Sequence, residues 1–171
     1  MSTTNRIRSQ RLLREAEGYL ELGLAHSALD SLSRMRDPGS FLGHQCYLRG
    51  EALRSLKRYG EASGVLEQAS DLIPSNIHVW LALGWCLKRS GQIDKAIAAL
   101  EHAREVDPAE ALIHYNLACY QSLAGYRHDA VMNLSRAIEL KPDFRDMIGN
   151  ESDFDPIRSD PEFQAITNII V

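Results

Sequence analysis

The side chains of this chain that could hold a metal or move a proton are six histidines, three cysteines and twenty-three carboxylates. His44 and His78 share a spacing, 78 − 44 being 34. On neighbouring helices they would stand about one helix diameter apart, roughly 10 Å. That is too long for two nitrogens that must both reach one ion at about 2 Å. His26, His102, His114 and His128 are isolated and read as structural helix or turn residues. Cys46, Cys86 and Cys119 are odd in number, far apart and form no Cys-x-x-Cys pair, which argues against a disulfide framework or a zinc knuckle. They read as buried or half-buried thiols of a reducing compartment. The sequence holds no Gly-x-Ser-x-Gly, no phosphate-cradling glycine loop and no His-Glu-x-x-His. Acid pairs such as Asp153 and Asp155 lie near the chain end, outside any recognisable cleft. The expectation is a chain that is not an enzyme, with no catalytic residue, no metal and no cofactor.

What remains is the chemistry of recognition. Three sets of residues recur along the chain, each offset from a helical packing stripe: Tyr47, Leu48, Glu51 and Arg54; Leu81, Ala82, Trp85, Lys88 and Arg89; Tyr115, Asn116, Cys119 and Ser122. Tyr47, Trp85 and Tyr115 offer flat, rigid contact area with a polar tip, the usual makeup of a binding hot spot. The Asn116 amide can donate to and accept from a peptide backbone. Arg54, Lys88 and Arg89 can hold a carboxylate. A stripe that is aromatic and aliphatic at its centre, with charges at one edge, marks an interaction surface when it faces water.

The elements that carry these sets repeat. Ala28, Ala62, Ala96 and Ala130 are separated by 62 − 28, 96 − 62 and 130 − 96, each 34. Leu32, Leu66, Leu100 and Leu134 keep that interval, as do the small residues Ala16, Gly50, Gly84 and Ala118. Gly23, Gly91 and Gly125 form another column, with Lys57 in place of glycine in the second unit; Pro74, Pro108 and Pro142 form one more, with Ser40 in the first. Each unit reads as two helices. Trp80, Leu83, Gly84 and Leu87 follow the apolar spacing of one helical face. Gly91 breaks the pattern as a residue past a helix end does, and Ala96, Leu100 and Ala103 begin a second face that Asp107-Pro108 closes. Small residues let the two helices approach closely, and one pair cannot bury its whole apolar face, so pairs must stack.

The 34-residue interval, the Trp80…Leu83-Gly84…Leu87 helix, the central alanine and the closing Asp107-Pro108 resemble the tetratricopeptide repeat, TPR. The resemblance implies an all-α fold, a right-handed α-α superhelix (solenoid) of four TPR helix pairs plus a C-terminal capping helix. The expected organisation is an N-terminal tail over 1–8, four units within 9–142 (9–42, 43–76, 77–110 and 111–144) and a cap over 145–171. Residues 43–142 match well. The first unit departs from the pattern, with Glu15 at a usually apolar position and an early Pro38, and reads as an irregular N-terminal cap. The resemblance also places the aromatic stripe on the concave face, and so implies a protein or peptide segment as partner, with the chain serving as adaptor, scaffold or chaperone. Some members clamp a C-terminal carboxylate with lysines, asparagines and an arginine. The matching positions here are Leu13, Glu17, Leu48, His78 and Ala82, so that mode of recognition is not expected.

After Pro142 the repeat stops. Phe144, Met147, Ile148, Phe154, Ile157, Phe163, Ile166, Ile169 and Ile170 supply apolar surface for a lid, and Ser159-Asp160-Pro161-Glu162 reads as a helix start. The alternative to an open groove is a self-associating scaffold whose groove is covered by this tail or by a second copy, which makes a homo-oligomer possible. The net charge of −4 offers no basic stripe for nucleic acid; only the start, with Arg6, Arg8, Arg11 and Arg14, is basic. The polar first ten residues lack the apolar stretch of a secretory signal, and no apolar run is long enough to span a bilayer. The expected location is the cytoplasm, without membrane insertion.

Overall fold

In the computed structural model, residues 3–167 are described; Ile169 and Ile170, expected in the cap, lie outside them. Every regular element among the described residues is helical: α1 (Thr3–Glu21), α2 (Ala25–Ser33), α3 (Leu42–Ser55), α4 (Tyr59–Leu72), α5 (Ile77–Arg89), α6 (Ile93–Val106), α7 (Ala111–Ala124), α8 (Arg127–Leu140), α9 (Phe144–Ile148) and α10 (Pro161–Thr167), with short 3-10 turns at Gly39–Phe41 and Ser152–Ile157. The all-α class and the paired, antiparallel helices follow the expectation. The chain divides into two compact bodies, Met1–Ser90 and Gly91–Val171, with the break inside the third repeat.

In the first body Leu12, Leu13 and Ala16 of α1 meet Ala28 and Leu32 of α2 and Leu48 and Ala52 of α3 in one apolar cluster. The columns of small residues have a mechanical role here. A Cβ on Gly50 of α3 would come within 2.5 Å of the fully buried Leu66 side chain of α4, so only hydrogen fits between the two helices. The partner of this small residue is therefore the leucine column rather than the alanine column. Lys57, in the glycine column, adopts φ 60°, the left-handed conformation that Gly125 takes at φ 82° past the end of α7. Trp80, placed by the sequence on the packing face of α5, is half-buried and its indole N–H donates to the Pro74 carbonyl at 2.8 Å. The Asn76 side-chain oxygen caps α5 by accepting from the His78 N–H at 3.0 Å.

The first repeat is irregular, and the structure gives the reason. Its second helix, α2, has only 9 residues where α4 has 14. Glu15, at the usually apolar position, instead accepts from the Ser31 hydroxyl at 3.1 Å and from the Arg34 guanidinium, tying α1 to the end of α2. One correction concerns the start: α1 begins at Thr3, so residues 3–8, expected as a tail, are helical. Asn5 reaches the Asp37 carbonyl and carboxylate at 3.2 Å each, which holds that first turn against the loop after α2.

In the second body α7 packs against α6, α8 and the Ser152–Ile157 turn. His114 is buried and lies 3.0 Å from both the Pro108 carbonyl oxygen and Asn133 Oδ1, while Asn133 Nδ2 donates to Gln121 at 2.9 Å. This is the structural role expected of it. The cap closes over the last repeat: Phe144, Ile148, Phe154, Ile157 and Phe163 are all buried. Asp160 begins α10 by accepting from the Glu162 N–H at 2.9 Å.

Candidate functional site

In the first body one face of α3 and α5 carries a continuous run of polar and aromatic contacts. It starts on α1, where Glu17 meets His44 Nε2 of α3 at 2.8 Å. The His44 ring stands edge-on to Tyr47, with centroids 6.3 Å apart. Glu51 and Arg54 follow one turn on, joined by two hydrogen bonds of 3.0 and 2.6 Å. The Arg54 guanidinium lies 5.2 Å from the centroid of the Trp85 ring on α5. Arg89 lies 5.8 Å from the same ring and 5.5 Å from the ring of Tyr59, which meets Trp85 edge-on at 5.2 Å.

Three physical features distinguish this run. Trp85 is half-buried and is flanked by two guanidinium groups, an arrangement that holds the indole in one place by cation–π attraction. The two hydrogen bonds that Arg54 donates to Glu51 raise its pKa, and the carboxylate neutralises its charge locally, whereas Arg89 is exposed and has no acidic partner among the described residues. Burial raises the pKa of the Tyr47 phenol, which keeps it a neutral donor. Beside this run a cleft of about 520 Å³ opens between α1, the Gly39–Phe41 turn and the start of α5, lined by Leu13, Glu17, Phe41, His44, Ile73 and Asn76 among others.

The structure separates the expected site residues. Tyr47, Glu51, Arg54, Leu81, Trp85 and Lys88 are half-buried and Arg89 is exposed, all in the first body. Leu48 is a correction: it is 5% exposed because it belongs to the core shared with α1 and α2. Tyr115 and Cys119 are corrections too, at 4% and 2% exposed. The tail covers them. Phe144 stacks on the Tyr115 ring at 4.7 Å with planes 16° apart, and Phe154 meets it edge-on at 5.7 Å. Asn116 remains half-buried in the second body. The alternative of coverage by the chain's own tail thus describes the last repeat. Ala82 and Ser122, the minor members of the stripe, are buried as well.

Sequence reasoning missed Tyr59 and the pairing of His44 with Glu17. Tyr59 opens the second helix of its repeat, so a search confined to first helices passes over it. The Glu17–His44 contact joins side chains 44 − 17, or 27, residues apart on two different helices, and no local pattern encodes it.

A family profile described as "Tetratricopeptide repeat" matches residues 53–118. No curated protein matches the chain in sequence. Among solved structures the chain is similar to MamA, with a TM-score of 0.73 and 22% identity over 81% of each chain. It is similar to YrrB, described as a TPR protein with an unusual peptide-binding site, with a TM-score of 0.67 and 25% identity over 75% of this chain and 66% of that one. A third likeness is to an O-GlcNAc transferase mutant of Thermobaculum terrenum, TM-score 0.72 and 21% identity, where 81% of this chain matches 27% of the enzyme. The fold is thus shared by separate repeat proteins and by part of an enzyme, and does not by itself assign an activity.

Proposed function

We propose that this chain, whose residues 53–118 match a tetratricopeptide-repeat profile, is a non-enzymatic interaction module of that family whose first body holds a partner peptide or protein segment against α3 and α5. The observation that carries this reading is Trp85, half-buried between Arg54 and Arg89 with Tyr59 edge-on. An indole clamped in one rotamer loses little entropy when a partner packs on it, which is what makes a hot spot. Arg89 supplies the charge that Arg54 has already spent on Glu51, so the segment that fits carries an apolar or aromatic side chain next to an acidic one. The likeness to YrrB, itself described as having a peptide-binding site, supports the reading. So does the absence of any recognisable nucleophile motif in the sequence. Cytoplasmic residence is part of the proposal: the three thiols form no disulfide, and no helix among the described residues is long and apolar enough to cross a membrane.

A displayed peptide library selected on the full chain tests it. Enriched peptides should share an acidic residue beside an apolar one, and the double variant Tyr47→Ala/Trp85→Ala should lose their binding by roughly 10-fold or more. Arg89→Ala should flatten the salt dependence of what binding remains. If the double variant, still folded by circular dichroism, keeps every selected peptide, this face is not the docking surface.

A further inference from the structure

The second body contains a cluster that the peptide-binding reading does not use. Cys119 of α7 and the carboxylates of Glu151 and Asp153, at the start of the Ser152–Ile157 turn, each present one ligand atom, and the three atoms lie within 4.8 Å of one another. The thiol is buried and the two carboxylates are half-buried. A second observation is independent of the cluster. Tyr115, one helical turn before Cys119, is 4% exposed, and its hydroxyl is buried with no hydrogen-bond partner. Burial raises the pKa of this phenol, and Cys119, Glu151 and Asp153 push it in the same direction, against Arg158. A buried phenol oxygen without a partner, one turn from a thiol that meets two carboxylates, calls for a bound water or ion beside it.

We propose that Cys119, Glu151 and Asp153 bind a divalent transition-metal ion, zinc being the best fit, and that the ion pins the C-terminal cap to α7. The donor set decides the metal. Calcium and magnesium take oxygen ligands and make no use of a thiolate, whereas zinc accepts sulfur at about 2.3 Å and carboxylate oxygen at about 2.1 Å. Three protein ligands leave one tetrahedral position, which the Tyr115 hydroxyl or a water can fill. Glu151 is already oriented, because one of its oxygens accepts from the Asp153 N–H at 3.1 Å. Arg158 donates to the Glu151 carbonyl at 2.8 Å and to Asp155 at 2.7 Å. On binding, the Cys119 thiol gives its proton to water and the resulting thiolate bonds to the metal. Cys119 and Asp153 are 153 − 119, or 34, residues apart on different elements, which is why no short-spacing motif announces the site.

Cobalt(II) titrated into the metal-free full chain tests the proposal. One equivalent should bind and give an ultraviolet thiolate-to-cobalt charge-transfer band, zinc should displace it, and zinc should raise the thermal midpoint. Cys119→Ala and Asp153→Asn should each weaken binding by about 100-fold or more, since loss of an outer partner alone costs 10–100-fold. Asp153→Asn sits at a half-buried position and should keep the metal-free midpoint, which separates lost binding from lost folding. Cys46→Ala, in the first body, should leave the band intact. Absence of the band in the unaltered chain, or its survival in Cys119→Ala, overturns the assignment.

Discussion

Cys86 lies fully buried behind the face that carries Trp85, and burial pushes its thiol from 9.0 up to about 11. At about pH 8 only about one molecule in a thousand then carries the thiolate. Alkylation of Cys86 in the folded chain should therefore be far slower than in urea, as mass spectrometry of timed iodoacetamide reactions would show. The same shift has a thermodynamic sign. Between pH 9.0 and about 11 the unfolded chain sheds this proton while the folded chain keeps it, so stability falls as pH rises through that window. Tyr115, whose phenol is also raised, by burial first and then by Cys119, acts in the same direction. The urea midpoint should be lower at about pH 10.5 than at about pH 8. A midpoint that does not move would mean that neither group is as dry as the structure places it.

At the scale of the element, the glycine column can be tested where it fails. Lys57 stands at φ 60° where the other repeats use glycine. A residue with a Cβ is strained there, so Lys57→Gly should stabilise the first body by about 1 kcal/mol, read as a higher thermal midpoint. Gly50→Ala should do the opposite. Its new methyl would meet the fully buried Leu66, which cannot move aside, at a cost of about 1–3 kcal/mol. These helices were legible in the sequence because each repeat states its own spacing four times, and the small-residue, leucine and proline columns fall at the positions the packing requires. The shortened α2 was legible only in part: Pro38 signalled an early stop, but the compensating clamp from Glu15 to Ser31 and Arg34 joins two helices and no local pattern encodes it.

At the scale of the whole molecule, the cap decides which surfaces face water. Phe154 is fully buried and touches both Tyr115 and Phe163, so Phe154→Ala should cost about 3–5 kcal/mol. Hydrogen exchange in α7 should rise with it. Retained protection in α7 would show that the cap is not what buries Tyr115. The sequence by itself determined the all-helical class and the pairing of the helices, because helical periodicity and repeat spacing are local properties of the chain. It could not determine that Tyr115 and Cys119 are covered while Trp85 is not. Cys119 keeps the register of Trp85, 119 − 85 being 34, and Tyr115 stands one turn before it, yet the tail, folding back from residues 144–163 onto α7, covers both. The meeting of Cys119 with Glu151 and Asp153 was hidden for the same reason. Burial depends on what packs against a helix, and that is fixed by contacts between elements distant along the chain.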